Sequence, residues 1–173
     1  MSNTHQLQSR MRSNVGARLL AVGFVALLVL VQTAQAGSWN NIEPLKSRRA
    51  DVERVLGKPI EEKGGESGAL RFKVAGGTVM IAFVSAKFVA TKKLAPELEG
   101  TVLQIVLQHE GAKDTPESLG LVNNSNFQRE DKDGVSHFRN QKDGISYTFI
   151  NGKLKTTWHS PAAEELARTR TKG

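Results

Sequence analysis

The stretch that decides the fold is residues 145–158, Ile-Ser-Tyr-Thr-Phe-Ile-Asn-Gly-Lys-Leu-Lys-Thr-Thr-Trp. Its centre, Asn151-Gly152, is the strongest sequence signal for a two-residue type I′ turn, because both turn residues must adopt a positive φ. Apolar and polar residues alternate on both sides of the turn, as is typical of strands with one buried face. The alternation predicts three pairs on the core face: Phe149 with Leu154, Tyr147 with Thr156, and Ile145 with Trp158.

Two further turns extend this pattern into an antiparallel sheet. Asp143-Gly144 predicts a turn that adds a preceding strand, with Phe138 opposite Phe149. Gly76-Gly77 predicts a second hairpin, and its core-facing residues are Leu70, Phe72, Val74, Val79, Ile81 and Phe83. A separate strand is predicted over 101–109. The aromatic side chains assigned to the core are therefore Phe72, Phe83, Phe138, Tyr147, Phe149 and Trp158.

One short helix is predicted N-terminal to the sheet. Ser47 is a suitable capping residue, and Gly57 is placed to end the helix in the left-handed conformation. The residues that form its apolar stripe, at i, i+3, i+4 spacing, are Val52, Val55 and Leu56. The polar stretches 61–68 and 110–134 are interpreted as loops. The predicted fold is therefore α+β, with one short N-terminal helix packed on a largely antiparallel sheet of about five or six strands.

The first 36 residues predict an export signal. Three arginines and no acidic residue accompany an apolar run over 19–31, and the small side chain of Ala36 suits cleavage before Gly37. A membrane-spanning helix needs about 20 apolar residues, and this run is shorter. The predicted organisation is a cleavable signal peptide over 1–36, a single α+β domain over 37–165, and a basic tail, expected to be disordered, over 166–173.

Charge and cysteine content narrow the function classes. The signal arginines account for three of the positive charges, so the formal net charge of +7 falls to +4 after cleavage. A chain this close to neutral is not expected to bind nucleic acid. Cysteine is absent, which excludes disulfides, thiolate metal sites, a cysteine nucleophile and a lipid-anchored cysteine. We expect a periplasmic or extracellular protein with no membrane association after signal removal.

Residues with catalytic or metal-binding chemistry are sparse. Beyond the signal, the histidines are His109, His137 and His159, and their spacing matches no zinc motif. The segment 130–134 lacks the spacing of a calcium loop, and no nucleophile motif is present. No catalytic, cofactor or metal site is therefore assigned. Trp39 is left with two interpretations, a core side chain or an exposed contact.

Two patches of sequence resemble known proteins. Residues 39–57, Trp-x-x-Ile-x-Pro-Leu-x-Ser-x-Arg-x-Asp-Val-Glu-x-x-Leu-Gly, resemble the N-terminal signature of a family of small exported bacterial proteins of unknown function, and 138–163 resembles its C-terminal half. This resemblance implies export and an α+β domain, with no assigned activity. The spacing Val52-x-x-x-Leu56-Gly57-x-Pro59 is more loosely similar to BamE/SmpA outer-membrane assembly lipoproteins and their β-lactamase-inhibitor-like relatives, which act by binding proteins.

Three hypotheses for function follow. The leading one is a non-enzymatic module that binds another envelope or secreted protein or associates with the envelope; it predicts an exposed apolar patch or an unpaired strand edge. The second is a periplasmic or secreted hydrolase, which needs at least two of the three histidines with acids within hydrogen-bond reach. The third is a small-ligand carrier, which needs a closed apolar cavity of at least about 300 Å³.

Overall fold

A computed structural model describes residues 37–64 and 68–170. Its helices are α1 (Arg49–Leu56), α2 (Ala86–Lys92) and α3 (Ala163–Arg168), with a 3-10 turn at Pro96–Leu98. Its strands are β1 (Glu61–Lys63), β2 (Ala69–Val74), β3 (Gly77–Phe83), β4 (Val102–His109), β5 (Gln128–Lys132), β6 (Val135–Asn140), β7 (Ile145–Ile150) and β8 (Lys153–His159). The predicted signal peptide lies outside the described residues.

All eight strands form one antiparallel sheet in the order β1-β2-β3-β4-β8-β7-β6-β5. The sheet consists of two four-stranded meanders, the N-terminal half (β1–β4) and the C-terminal half (β5–β8). The two halves join through their last strands, with Ile105 opposite His159 and Gln108 opposite Thr156. Because β4 and β8 are antiparallel, a half-turn about the sheet normal relates the topology of one half to that of the other. Equivalent strands therefore present equivalent faces.

The predicted architecture is wrong in its strand count and in the role of the helix. The sheet has eight strands rather than five or six, and two strands absent from the prediction are the edge strands β1 and β5. Every side chain in these two strands is exposed, so neither has the apolar alternation by which half-buried strands are recognised. The helix α1 buries only Val52. Apart from Val52, Leu56 is the α1 side chain that packs against the core cluster, so the helix does not form a layer over the sheet.

The boundaries of α1 follow from its capping groups. The Arg48 backbone N–H donates to an Asp51 carboxylate oxygen at 2.9 Å, which satisfies a group that would otherwise be unpaired at the helix start. The predicted cap, Ser47, instead accepts a hydrogen bond from the Glu43 N–H at 2.9 Å. The helix ends at Gly57 as predicted, but with φ +79° and ψ −151°, a conformation that favours glycine and lies outside the predicted left-handed helical region.

One face of the sheet carries the hydrophobic core and is called the core face. A cluster in the N-terminal half contains the buried side chains of Ile42, Val52, Leu70, Phe72, Val79, Ile81, Val102 and Ile105. A second cluster in the C-terminal half contains Leu121, Phe138, Phe149 and Leu154. Phe138 and Phe149 meet edge-to-face with ring centroids 5.7 Å apart. Since Leu121 comes from the loop between β4 and β5, that polar stretch covers the second cluster.

The β2–β3 hairpin keeps its predicted face but not its predicted pairs. Phe72 lies opposite Val79 and Leu70 opposite Ile81, a shift of two residues. The turn is formed by Ala75 and Gly76, because Gly77 already belongs to β3. A shift of two preserves the alternation of faces, so these side chains still reach the core.

Candidate functional site

A β-bulge in the last strand determines which face carries Trp158. Phe149 lies opposite Leu154, as predicted, but the next pair is Thr148 with Thr156, which leaves Lys155 as an extra residue in β8. An extra residue reverses the faces of everything beyond it. Trp158 therefore lies opposite Ser146 instead of Ile145, and its assignment to the core face is wrong.

The face to which Trp158 turns is called the groove face. One row of cross-strand neighbours crosses this face from edge to edge: Glu61, Arg71, Met80, Val106, Trp158, Ser146, Arg139 and Gln128. Val106 is buried at 2% exposure, whereas Met80 and Trp158 are partly buried. The row thus changes from apolar at its centre to polar at both ends.

A groove of about 490 Å³ opens over the C-terminal half of this face. The side chains of Ser146, Thr148 and Trp158 belong to its floor, since they lie on the groove face of β7 and β8. Residues 160–163, where the chain leaves β8 and enters α3, form a wall. The polar residues that line the groove are Gln104, His137, Arg139, Asn140, Gln141, Ser146, Thr148 and Ser160.

Two glycines pack closely against the backbone of the groove wall and hold it in place. The Ser160 N–H donates to the Gly144 carbonyl at 2.8 Å. A Cβ at Gly144, where φ is +62°, would overlap the Ser160 carbonyl oxygen. A Cβ at Gly37 would overlap the same oxygen. Gly37 is the residue predicted to follow signal cleavage, and it lies against this wall; its predicted neighbour Ala36 lies outside the described residues.

Among the residues that line the groove, Arg139 is the one arginine or lysine, and it is exposed to solvent. None of the groove's lining residues is acidic, and within residues 37–64 and 68–170 the Arg139 guanidinium makes no ion pair or hydrogen bond. The nearest candidate acid by register is Glu130, which lies opposite His137 on the same face and lines a separate cavity of about 280 Å³ beside Arg139. The equivalent arginine of the other half, Arg71, pairs with Glu61 at 3.3 Å.

The three candidate histidines are not brought together. His109 shares a hydrogen bond of 2.9 Å with the Thr157 hydroxyl on the core face, and burial lowers its pKa despite the opposing charge of Asp114. His137 shares a hydrogen bond of 3.1 Å with the Thr148 hydroxyl on the groove face. No carboxylate of the described chain hydrogen-bonds to either ring. The geometry required for the hydrolase hypothesis is therefore not present around these residues.

His159 is a buried residue of the core face. It is 7% exposed, lies between Ile105 and Ile145 in the sheet, and its Nδ1 atom has no hydrogen-bond partner. Burial lowers its pKa to about 4, because an imidazolium would lose its hydration there. The bulge that sends Trp158 outward is what sends His159 inward.

Trp39 belongs to the core in part. It is partly buried and packs against the cluster of the N-terminal half, and its backbone pairs with Ile42. The groove residues Arg139 and Ser146 were not singled out from the sequence. The alternating polar side chains of Ser146 and Thr148 predict a solvent-exposed face of the sheet, but they do not predict a cavity there.

A metal-binding cluster and a membrane-spanning helix are both absent from residues 37–64 and 68–170. No group of three histidine, aspartate or glutamate side chains in these ranges could hold a metal ion. Among the described helices, none has the length and apolarity needed to cross a membrane. Part of the segment predicted to be a disordered tail is described: α3 extends to Arg168, and the backbone of Arg170 pairs with Leu94.

Family models, curated proteins and solved structures were each compared with this chain. No family model, curated protein or solved structure matches it. The resemblance to a family of small exported proteins and the looser one to BamE/SmpA lipoproteins therefore stay predictions.

Proposed function

We propose that this protein is an exported, non-enzymatic binding module of the cell envelope, and that the groove beside Trp158 is its binding site. The observation that carries the proposal is the unpaired guanidinium of Arg139 in a groove without carboxylates. A concave site that combines an aromatic side chain with a few polar groups and one charged residue is a common arrangement for ligand recognition. The export signal predicted over 1–36 supplies the location.

Binding is favoured over catalysis by the partners of the histidines. The only imidazole that lines the groove, His137, is hydrogen-bonded to Thr148 rather than to an acid. A general base normally needs a third group that orients it and a nucleophile within reach. The described residues of the groove provide hydroxyl and amide groups but no such relay.

Binding through the groove is also favoured over two alternatives: carriage of a ligand in a closed cavity, and addition of a strand at an edge of the sheet. A carrier needs an enclosed apolar cavity, whereas this groove is open and is lined by polar as well as apolar residues. The unpaired edges are β1 and β5, and all but one of their residues, Gln128, are charged. Charged edge strands discourage the addition of a further strand.

The proposal can be tested by measuring how much material from an envelope extract is retained on the immobilised protein. Residues 37–173 would be coupled to beads and exposed to envelope extract, alongside the variants Arg139→Gln and Arg71→Gln. We expect Arg139→Gln to lose at least half of the bound material and Arg71→Gln to retain it, because only Arg139 lines the groove. Equal retention by all three proteins would contradict the proposal. Circular dichroism would establish that the variants are folded.

A further inference from the structure

The floor of the groove offers side-chain groups but no free backbone. The strands β6, β7 and β8 each have a hydrogen-bonded neighbour on both sides. Their N–H and C=O groups are therefore used within the sheet over the paired segments. A peptide bound in extended form normally takes part of its affinity from main-chain hydrogen bonds at a sheet edge. The floor cannot supply these, so a ligand that lies on it is recognised through hydroxyl, amide, aromatic and guanidinium groups.

The neutral polar groups in the groove suit a ligand rich in hydroxyls. Ser146 and Gln104 make no side-chain hydrogen bond within the described chain. A hydroxyl and an amide each offer both donors and acceptors, which matches the dual character of sugar hydroxyls. Trp158 adds a broad apolar surface with a polar N–H at its edge, and the C–H face of a sugar ring can pack on such a surface.

Arg139 adds a preference for negative charge. Its position in the sheet is equivalent to that of Arg71, but the strand beside it carries Gln128 where the other half carries Glu61. An Arg guanidinium binds carboxylates through two parallel hydrogen bonds. Arg139 lies two strands from Trp158, which corresponds to about 10 Å between their backbones. An aromatic contact and a carboxylate contact can therefore be made by one small ligand.

We propose that the groove binds a carboxylate-bearing saccharide, with a sugar ring on Trp158 and the carboxylate on Arg139. This inference rests on the proposed function, since it names the ligand class of the same groove. The volume of about 490 Å³ lies within the usual range of about 300–1,000 Å³ for small-ligand sites. An acidic peptide is the competing ligand, and it is disfavoured because the floor has no free backbone groups.

The test is a titration followed by NMR of the two indole N–H signals. The probe is a disaccharide of glucuronic acid and N-acetylglucosamine, compared with its methyl ester and with a blocked tripeptide that contains one glutamate. We expect the free acid to shift the Trp158 signal and to leave that of Trp39, on the core side, unchanged. The Arg139→Gln variant should bind the free acid at least about tenfold more weakly, whereas Arg71→Gln should bind it as the wild type does.

Three results would overturn the saccharide assignment: equal affinity for the acid and its ester, tighter binding of the glutamate peptide, or no shift of Trp158 with any saccharide. A competition on the beads separates this failure from failure of the proposed function. If retention depends on Arg139 but the disaccharide does not compete, the groove is a binding site and the ligand class is wrong. If retention does not depend on Arg139, the proposed function itself is wrong.

Discussion

The two halves of the sheet carry an arginine at equivalent positions on the groove face, but the side chains beside the two arginines differ. In the N-terminal half, Arg71 is paired with Glu61 on the edge strand. In the C-terminal half, Arg139 has Gln128 beside it and no ion pair within the described chain. Towards the centre, the pair Met80 and Val106 corresponds to Ser146 and Trp158. The comparison separates a half whose arginine is neutralised and whose centre is apolar from a half with an unpaired arginine and a polar groove, where we propose that a ligand binds.

The largest expected effects come from the two core clusters beneath these halves. Phe72 and Phe149 are each fully buried, one in each cluster. Replacing either by alanine should reduce the free energy of unfolding by about 3–5 kcal/mol, because it removes buried apolar surface and leaves a cavity. Chemical denaturation of both variants would also test whether the halves are one cooperative unit. Since β4 and β8 join the two halves, a single transition is expected. Two separate transitions would mean that the halves unfold independently.

The next largest effects concern glycines at which two strands or loops approach closely. A Cβ at Gly77 would overlap the carbonyl oxygen of Gln108, and a Cβ at Gly144 would overlap that of Ser160. Alanine at either position should cost about 2–4 kcal/mol of stability, because the neighbouring backbone must move. Gly152→Ala is the control, since its φ is also positive but nothing lies near its Cβ; it should cost about 1–2 kcal/mol. Similar losses for all three in thermal denaturation would be inconsistent with the close approach.

His159, which is more deeply buried than His109 of the N-terminal half, should make stability depend on pH. Its pKa in the folded protein is about 4, below the value of about 6.5 for an exposed imidazole. The unfolded state therefore binds more protons between these values, so stability is complete above pH 6.5 and falls as the pH falls towards 4. Between pH 7 and 4.5 the loss should be about 2–3 kcal/mol.

The matched variant for this prediction is His159→Leu, which removes the titrating group from its position opposite Ile105. Urea denaturation of both proteins at pH 7 and pH 4.5 should show the pH-dependent loss in the wild type and a much smaller loss in the variant. An equal loss in the two proteins would mean that other groups are responsible.

The smallest effects are expected at the two arginines themselves. Arg71→Gln removes an exposed ion pair and should cost less than about 1 kcal/mol of stability. Arg139→Gln should leave stability within about 0.5 kcal/mol of the wild type, because no partner is lost. Calorimetry of the two variants checks this directly. A larger loss for Arg139→Gln than for Arg71→Gln would indicate that Arg139 has a structural partner, and would remove the contrast between the halves.

The turn of the last hairpin is predictable from the sequence, whereas the strand pairing beyond that turn is not. Asn151 and Gly152 have φ values of +50° and +71°, as the type I′ turn requires. Phe149 and Leu154 then pair as expected, but nothing in Lys-Leu-Lys-Thr-Thr identifies Lys155 as the extra residue of a bulge. With the bulge, Thr157 is buried on the core face and Trp158 lies on the opposite face, which is the reverse of what the hydrophobicity of the two side chains predicts.

The edge strands were missed for a different reason. Residues 61–63 and 128–132 have no buried side chain, so the hydrophobic pattern from which strands are recognised is absent. Their position depends on the backbone hydrogen bonds of β2 and β6, which a sequence pattern does not reveal. The groove depends on the same long-range features, because Arg139 is unpaired only through its register with Gln128.

The central claim, that the bulge at Lys155 turns Trp158 to the groove face, can be tested directly by nuclear Overhauser effects. In residues 37–173 carrying Trp39→Phe, Trp158 is the remaining tryptophan. Its indole protons should contact the methyl groups of Val106 and the β protons of Ser146, its neighbours across the sheet. Contacts with the side chains of Ile105 and Ile145 instead would mean that β8 runs without a bulge and that Trp158 lies in the core.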